Sequence, residues 1–331
     1  MVHALQRAWL RRGALACALW PFSVVFGALA AVRRAAYRSG ALKSQRLPVP
    51  VVVVGNVVVG GSGKTPLVIA LARHLRSRGI AAGVVSRGYG RSSTGCQEVR
   101  PDSDARKAGD EPLLVARTCA VPVFVAARRA QAARALLDAY PSTQVILCDD
   151  GLQHYALRRD IEICVFDERG TGNGWLLPAG PLREPWPRRV DLVVHTGHPP
   201  GIAGFEAQRR LANHVRRADG TQRALAALQG QPLQAVAAIG RPEAFFAMLR
   251  EAGLTLTRTV ALADHDDLAD LPPPPVGCEL VCTEKDAVKL WQRHPQAWAV
   301  PLALTVAPGF WTEFDHLLDA KLSSADGPQT S

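Results

Sequence analysis

The chain has 331 residues, a net charge of +10 and an apolar share of 48%. That length fits two domains or one large one, and the apolar share excludes a chain too polar to fold around a core. Seven cysteines, odd in number and mostly in apolar runs (Cys148, Cys164, Cys282), exclude a disulfide framework and point to reduced core thiols in a cytosolic protein.

The charge is unevenly placed. Residues 1–46 carry eight Lys/Arg and no Asp or Glu, which points to an anionic surface near the N-terminus, either lipid or nucleic acid. Gly13 to Val32 is free of charge, about one bilayer thickness long, and bracketed by Arg11-Arg12 and Arg33-Arg34. Three placements compete. A helix could lie in the membrane interface or span the bilayer, although Pro21 interrupts the run and both flanks are basic. A signal peptide could be cleaved after Ala28-Leu29-Ala30.

Val51-Val52-Val53-Val54 reads as a buried parallel strand. It runs into Gly60-Gly61-Ser62-Gly63-Lys64-Thr65, and residues 67–78 have helical composition. Strand, glycine-rich loop and helix in that order form a phosphate loop. The glycines admit backbone N–H groups to an anion, and the helix N-terminus adds its free donors. Lys64 would reach the outer phosphates of ATP, and Thr65 would ligate Mg²⁺. The strict pattern wants glycine at position 58, where this chain has Val58.

A strand over 80–86 opens into Arg87-Gly88-Tyr89-Gly90-Arg91, read equally well as a surface turn or as a loop over a phosphate or sugar. Residues 92–107 read as a polar, mobile loop. Asp110 then stands where a helix N-cap belongs. A strand over 121–125 and a helix over 127–140 follow. The run Val145-Ile146-Leu147-Cys148 ends in Asp149-Asp150, the pattern of a strand that carries a metal-binding carboxylate at its tip, and Gln153 and His154 make that exit unusually polar. Ile161 to Phe166 and Leu192 to His195 read as strands, and the proline-rich stretch 173–187 as an ordered functional loop. No period is evident over 197–232, where the domain junction is expected. Gln234 to Ala238 reads as a strand, Arg241 to Ala252 as an amphipathic helix, Glu279 to Cys282 as a strand, and 283–290 as the start of another helix. These elements predict an α/β fold of the P-loop NTPase type. A mostly parallel sheet flanked by helices would be followed by a smaller α/β domain. The expected division is 1–46 membrane-associated segment, 47–215 nucleotide-binding domain, 216–322 second domain and 323–331 disordered tail.

Several motifs occur in order: G-N-x-x-x-G-G-S-G-K-T-P at 55–66, S-R-G-Y-G-R at 86–91, G-D-E-P at 109–112 and D-D-G-L-Q-H at 149–154. P-x-G-P-L-R-E-P at 178–185, I-G-R-P-E-x-F at 239–245, D-H at 264–265 and T-E-K-D-A-V-K-L at 283–290 complete the set. Together they resemble the tetraacyldisaccharide 4′-kinases, the lipid A 4′-kinases of Gram-negative bacteria. Ser62 stands for the usual Thr, and Leu152 where an aromatic is common. The resemblance implies transfer of the γ-phosphate of ATP to the 4′-hydroxyl of a tetraacyldisaccharide 1-phosphate, giving lipid IVA and ADP, at the cytoplasmic face of the inner membrane. It implies Asp110 as general base with His265 as its partner, Lys64 on the phosphates, and Thr65, Asp149 and Glu184 around Mg²⁺. It also implies Tyr89, Asp150, Gln153, His154 and Arg183 around the phosphates and acceptor sugar. The expected partners are the acylated lipid substrate and the membrane surface, with no nucleic acid and no obligate protein.

Other classes fit less well. A membrane-attached P-loop ATPase switch would want lysine where Val59 stands, and a GTPase would want the lysine of 283–286 one place earlier. The basic residues lie beside apolar segments without a recognisable nucleic-acid module.

Overall fold

The computed structural model describes residues 9–60, 63–264 and 266–325. A long helix, α1 (Ala14–Arg38), comes first. The chain continues through β1 (Val51–Gly55), α2 (Lys64–Ser77), β2 (Ala82–Ser86), β3 (Gln97–Glu98), α3 (Ala105–Ala108), α4 (Asp110–Cys119), β4 (Val123–Val125) and α5 (Arg129–Ala139). Then come β5 (Val145–Asp149), β6 (Ile161–Phe166), β7 (Leu192–Thr196) and β8 (Phe205–Leu211). A second set holds β9 (His214–Arg216), β10 (Gln222–Ala224), β11 (Leu233–Ala237), α6 (Pro242–Glu251), β12 (Leu256–Ala261), β13 (Glu279–Thr283), α7 (Glu284–Leu290) and β14 (Trp298–Val300). β15 (Leu302–Val306) and α8 (Pro308–Ala325) follow.

Among the described residues there are two sheets. The larger has the order β15-β8-β7-β6-β1-β5-β2-β4-β3, parallel from β8 to β4 with an antiparallel strand at each edge. The smaller has the order β10-β9-β14-β13-β11-β12, in which the last four strands are parallel. The reason for the valine run is now visible. β1 lies between β5 and β6 and is buried along its whole length. Val52 and Val54 pack into the core with Leu67, Leu71 and Leu75 of α2, and Val51 and Val53 into the opposite core with Leu136 of α5. Burying each such side chain contributes about 1.5–3 kcal/mol. The sheet changes winding direction at β1, and its neighbouring strand tips are where such sheets bind ligands.

Three expectations are revised. The stretch 197–232 holds β8, β9 and β10. Polar Gln208, Arg209 and Arg210 break up the apolar pattern of β8, which earns its place by pairing with β7 and β15. The second unit also ends before residue 322: β15 returns to the first sheet, and Phe310, Phe314 and Leu318 of α8 pack into the core beneath α2. The two strand crossings lie side by side, with the Ala212 amide donating to the Pro301 carbonyl at 2.9 Å. The polar stretch 92–107 is tied down as well, since the Ser92 amide donates to the Arg106 carbonyl and the Ser93 hydroxyl to that of Lys107. Of the expected tail, residues 326–331 lie outside the described residues, and 323–325 finish α8.

Helix α1 runs on past Pro21, at the cost of one backbone hydrogen bond. It docks along one narrow stripe. The Trp9 indole donates to the Pro178 carbonyl and Arg12 to that of Asn173. Buried Ser23 donates to the Leu176 carbonyl and accepts from the Ala179 amide. Arg33 donates to the Gln153 carbonyl. The remaining apolar surface, including Trp20, Phe22, Val25, Leu29 and Val32, is exposed.

Candidate active site

Gly60 and Gly63 bound the phosphate loop with φ of +106° and +90°, a backbone region that a β-carbon disfavours. Gly61 and Ser62 between them lie outside the described residues. Gly63 caps α2 without a side-chain hydrogen bond, which leaves the amides of the first turn for an anion. The Asn56 side chain braces the loop by donating to the Gly60 carbonyl. Val58 departs from the phosphate-loop pattern for a tertiary reason. It is buried and bridges to Leu182, while the Val59 amide donates to the Pro181 carbonyl and the Arg183 amide to that of Val57. The proline-rich loop is therefore laced onto the phosphate loop, which brings Arg183 and Glu184 to the site. Leu152 is fully buried against Gly55, where a β-carbon would collide with it.

Asp149 ends β5 and pairs in register with Val54. Its Oδ2 accepts from the Thr65 hydroxyl at 3.2 Å, and its Oδ1 is buried with no hydrogen-bond partner among the described residues. Burial and the nearby Glu111 carboxylate push the Asp149 carboxyl up, against the pull of Lys64. A cation beside it would relieve that cost. Among the described residues no three His, Cys, Asp or Glu side chains converge as a metal cage. Mg²⁺ needs none, because it holds substrate phosphates and water with one or two protein ligands. Thr65 and Asp149 fit such an ion. Glu184, expected beside them, is instead held by the Tyr155 hydroxyl at 2.6 Å and by Arg188 at 2.9 Å.

Asp150 adopts φ +50°. Its carboxylate lies 3.6 Å from Lys64 Nζ and 3.2 Å from Arg183 Nη1. Burial alone would raise this carboxyl, but Lys64, Arg183 and Arg129 outweigh it and hold the group below its ordinary value. Gln153 joins the cluster, donating to the Asn56 carbonyl and accepting weakly from Arg183. Burial, reinforced by Arg129, Arg159, Arg33 and Arg87, depresses His154 to about 4 and keeps it neutral. Tyr89, on the loop between Gly88 and Gly90, is largely exposed, and this loop's backbone packs on Gly109 next to Asp110.

Asp110 is not the N-cap. Gly109 holds that position, and Asp110 is the first residue of α4, 7% exposed. Its Oδ2 pairs at 2.6 Å with Lys289 of α7, in the second unit. Lys289 also donates to the Asp266 carbonyl, and Lys285 pairs with Asp264. His265, the expected partner of Asp110, lies outside the described residues. Both residues that flank it are thus tied to α7, the helix that reaches Asp110. Asp286 of the same motif is spent on structure: it accepts from the Ala238 amide and the Thr283 hydroxyl and is 2% exposed.

Two cavities meet at this cluster. One, of about 590 Å³, lies between the units and is lined by Gly63, Lys64, Thr65, Glu111, Phe245 and Lys285 among others. The other, of about 690 Å³, is lined by Phe26 and Leu29 of α1 and by Arg33, Arg87, Arg129 and Arg183. Lys64 faces the first, Asp150 the second, and the two side chains touch. Arg33, Arg129 and Lys289 went unassigned in the sequence. Arg33 reads as a flank of the apolar segment, Arg129 follows no motif, and Lys289 is one of four charges in T-E-K-D-A-V-K-L. Only Arg87 carries a signal, as a cation in a glycine-rich loop.

Comparison with known proteins gives one consistent result. A family model described as LpxK, tetraacyldisaccharide-1-P 4′-kinase, matches residues 15–323. The chain is 58% identical over 328 residues to the tetraacyldisaccharide 4′-kinase of Acidovorax sp. (strain JS42), covering 98% of this chain and 97% of that one. It is 54% identical over 344 residues to that of Polaromonas naphthalenivorans (strain CJ2), covering both completely. Among solved structures it is similar to the "apo" form of LpxK from Aquifex aeolicus in complex with ATP. The TM-score is 0.81 at 30% identity, covering 93% of this chain and 99% of that one.

Proposed function

This chain belongs to the tetraacyldisaccharide 4′-kinase family, and from that membership we propose which of its residues carry the reaction. The enzyme transfers the γ-phosphate of ATP to the 4′-hydroxyl of a tetraacyldisaccharide 1-phosphate. One observation carries the assignment of residues: the two cavities meet where Lys64 and Asp150 touch. The interdomain cleft takes ATP, its phosphates on Gly60 to Thr65. The basic cavity beneath α1 takes the acceptor. Its arginines suit the anionic 1-phosphate headgroup, and Phe26 and Leu29 suit acyl chains.

Thr65 and Asp149 would hold Mg²⁺, which would supply positive charge to the phosphates. Lys64 leaves Asp150 for the γ-phosphate and stabilises the charge that builds there. Arg183 and Gln153 position the acceptor side. Asp110 takes the proton of the 4′-hydroxyl as the new P–O bond forms and ADP departs. Lys289 pairs with Asp110 across the two units, and His265 serves as the partner of the base.

Helix α1 lies on the bilayer surface rather than crossing it. Within the helix its contacts with the body run from Ser23 to Tyr37, roughly 20 Å of helix at 1.5 Å per residue. Contacts along that length hold the helix against the body, which favours the surface placement. Its exposed apolar face and basic flanks suit the anionic cytoplasmic leaflet. The test is a transfer assay with γ-labelled ATP, Mg²⁺ and tetraacyldisaccharide 1-phosphate in detergent, beside Asp110→Ala. Label in the lipid that falls about 10²–10⁴-fold in the variant supports the base assignment. Undiminished transfer makes Asp110 a structural residue, and ATP hydrolysis without labelled lipid removes the site assignment.

A further inference from the structure

Two arginines lie on the two left-handed glycines of the phosphate loop. Arg169 sits over Gly60, with Nη2 3.3 Å from where a β-carbon would stand, and both oxygens of buried Asp167 hold its guanidinium. Arg209 lies directly on Gly63, and a β-carbon there would collide with its guanidinium. The two differ in their partners. Arg209 Nε and Nη2 are buried and have no hydrogen-bond partner among the described residues.

That arrangement is costly without a ligand. The residue is half-buried, and its two buried, unmet donors carry a desolvation penalty. Gly63 caps α2, so Arg209 also stands at the positive end of a helix, one residue from Lys64. Burial pushes its guanidinium down from the ordinary value, against the pull of Asp167 and Glu168, yet an arginine stays charged. One anion over Gly63 would satisfy all of these groups. The backbone holds Arg209 ready for it. β8 alternates so that Ala207, in the core beneath α2, and Arg209 share a face, and Arg209 pairs in register with Leu304 of β15. The side chain lines the interdomain cleft together with Lys64 and Thr65.

We propose that Arg209 is a nucleotide-binding residue, an arginine supplied in cis whose guanidinium grips the β- and γ-phosphates over Gly63. Its planar fork matches two phosphate oxygens at once, as a lysine cannot. During transfer the bond from Pγ to the bridging oxygen breaks while the bond from Pγ to O4′ forms. Arg209 then offsets the charge that accumulates on departing ADP. The inference rests on the assignment of the interdomain cleft to ATP.

Equilibrium titration of the full-length protein in detergent tests it. The probes are a β,γ-imido analogue of ATP, titrated directly, and AMP, measured by competition. Arg209→Met keeps the bulk over Gly63, Arg209→Lys keeps the charge, and Lys64→Ala serves as reference. Loss of one charged hydrogen-bond donor corresponds to about a 10–100-fold change. Arg209→Met should weaken the imido analogue by that factor and leave AMP unchanged, and Arg209→Lys should recover part of the loss. If Arg209→Met binds the analogue like the parent while Lys64→Ala loses it, the arginine assignment falls and the cleft assignment stands. If Lys64→Ala also binds normally, the cleft assignment itself falls. Equal losses for AMP and the analogue overturn the proposal in favour of a structural role.

Discussion

The cleft proposed for the nucleotide offers an anion a backbone element, left-handed glycines and the open first turn of α2, with the Lys64 and Arg209 side chains beside it. The cavity proposed for the acceptor draws its capacity from long side chains. Arg33 comes from α1, Arg87 from the loop after β2, Arg129 from α5 and Arg183 from the proline-rich loop. A backbone site must be contiguous, because consecutive amides converge only where consecutive residues turn together. A side-chain site can be gathered from anywhere the fold brings long residues within reach. The first is generic for phosphate. The second can be tuned to one acceptor, one arginine at a time.

Substitutions can break or sharpen this contrast. Lys64→Ala should have the largest effect. Its turnover should fall about 10²–10³-fold, as when one preorganised charge donor is lost, with the acceptor KM unchanged. Steady-state kinetics against both substrates reads this, and a parallel rise in acceptor KM would mean that the two cavities do not act separately. Next comes Arg129→Ala. Arg129 donates to the Asp150 carbonyl, and its buried Nε has no partner among the described residues. Losing one charged donor should raise the acceptor KM about 10-fold or more while ATP affinity holds.

A smaller effect concerns the acceptor wall and pH. His154 titrates at about 4 in the folded chain against an ordinary 6.5. Between those values the unfolded chain binds a proton that the folded one does not, so stability falls as pH drops from about 6.5 towards 4. Thermal melts of His154→Gln across that range should show a shallower decline than the parent, and identical declines would remove His154 from the basic cluster. The smallest change is expected far from both cavities. Arg78 pairs with Asp315 and Asp319 on partly exposed surface. Arg78→Ala should cost less than about 1 kcal/mol, a Tm shift below about 4 °C, with both KM values intact.

The same contrast explains what could be read without a fold. The glycine-rich loop, Lys64, Thr65 and the Asp149 strand tip were legible because each is local: a valine run, a turn that needs glycine, an acid where a strand stops. The resemblance to the lipid kinases added the order of the remaining motifs. The role of Val58 was not legible, since its partner Leu182 lies more than a hundred residues away. Nor was the pairing of Asp110 with Lys289. A capping carboxylate and one held across two units look alike in sequence. β8 was lost because its inward-facing Arg209 resembles a surface residue until the phosphate loop is seen against it.

By itself, then, the sequence determined the α/β alternation, the phosphate loop and the apolar, basic-flanked first helix. These depend on periodicity and on backbone freedom, which act between neighbours in the chain. Only the tertiary structure decided which arginines line the acceptor cavity and which lysine holds Asp110. It also decided that residues 302–325 return to the first sheet. Those outcomes depend on desolvation and charge pairing between distant segments, and such forces act only once burial has brought the segments together.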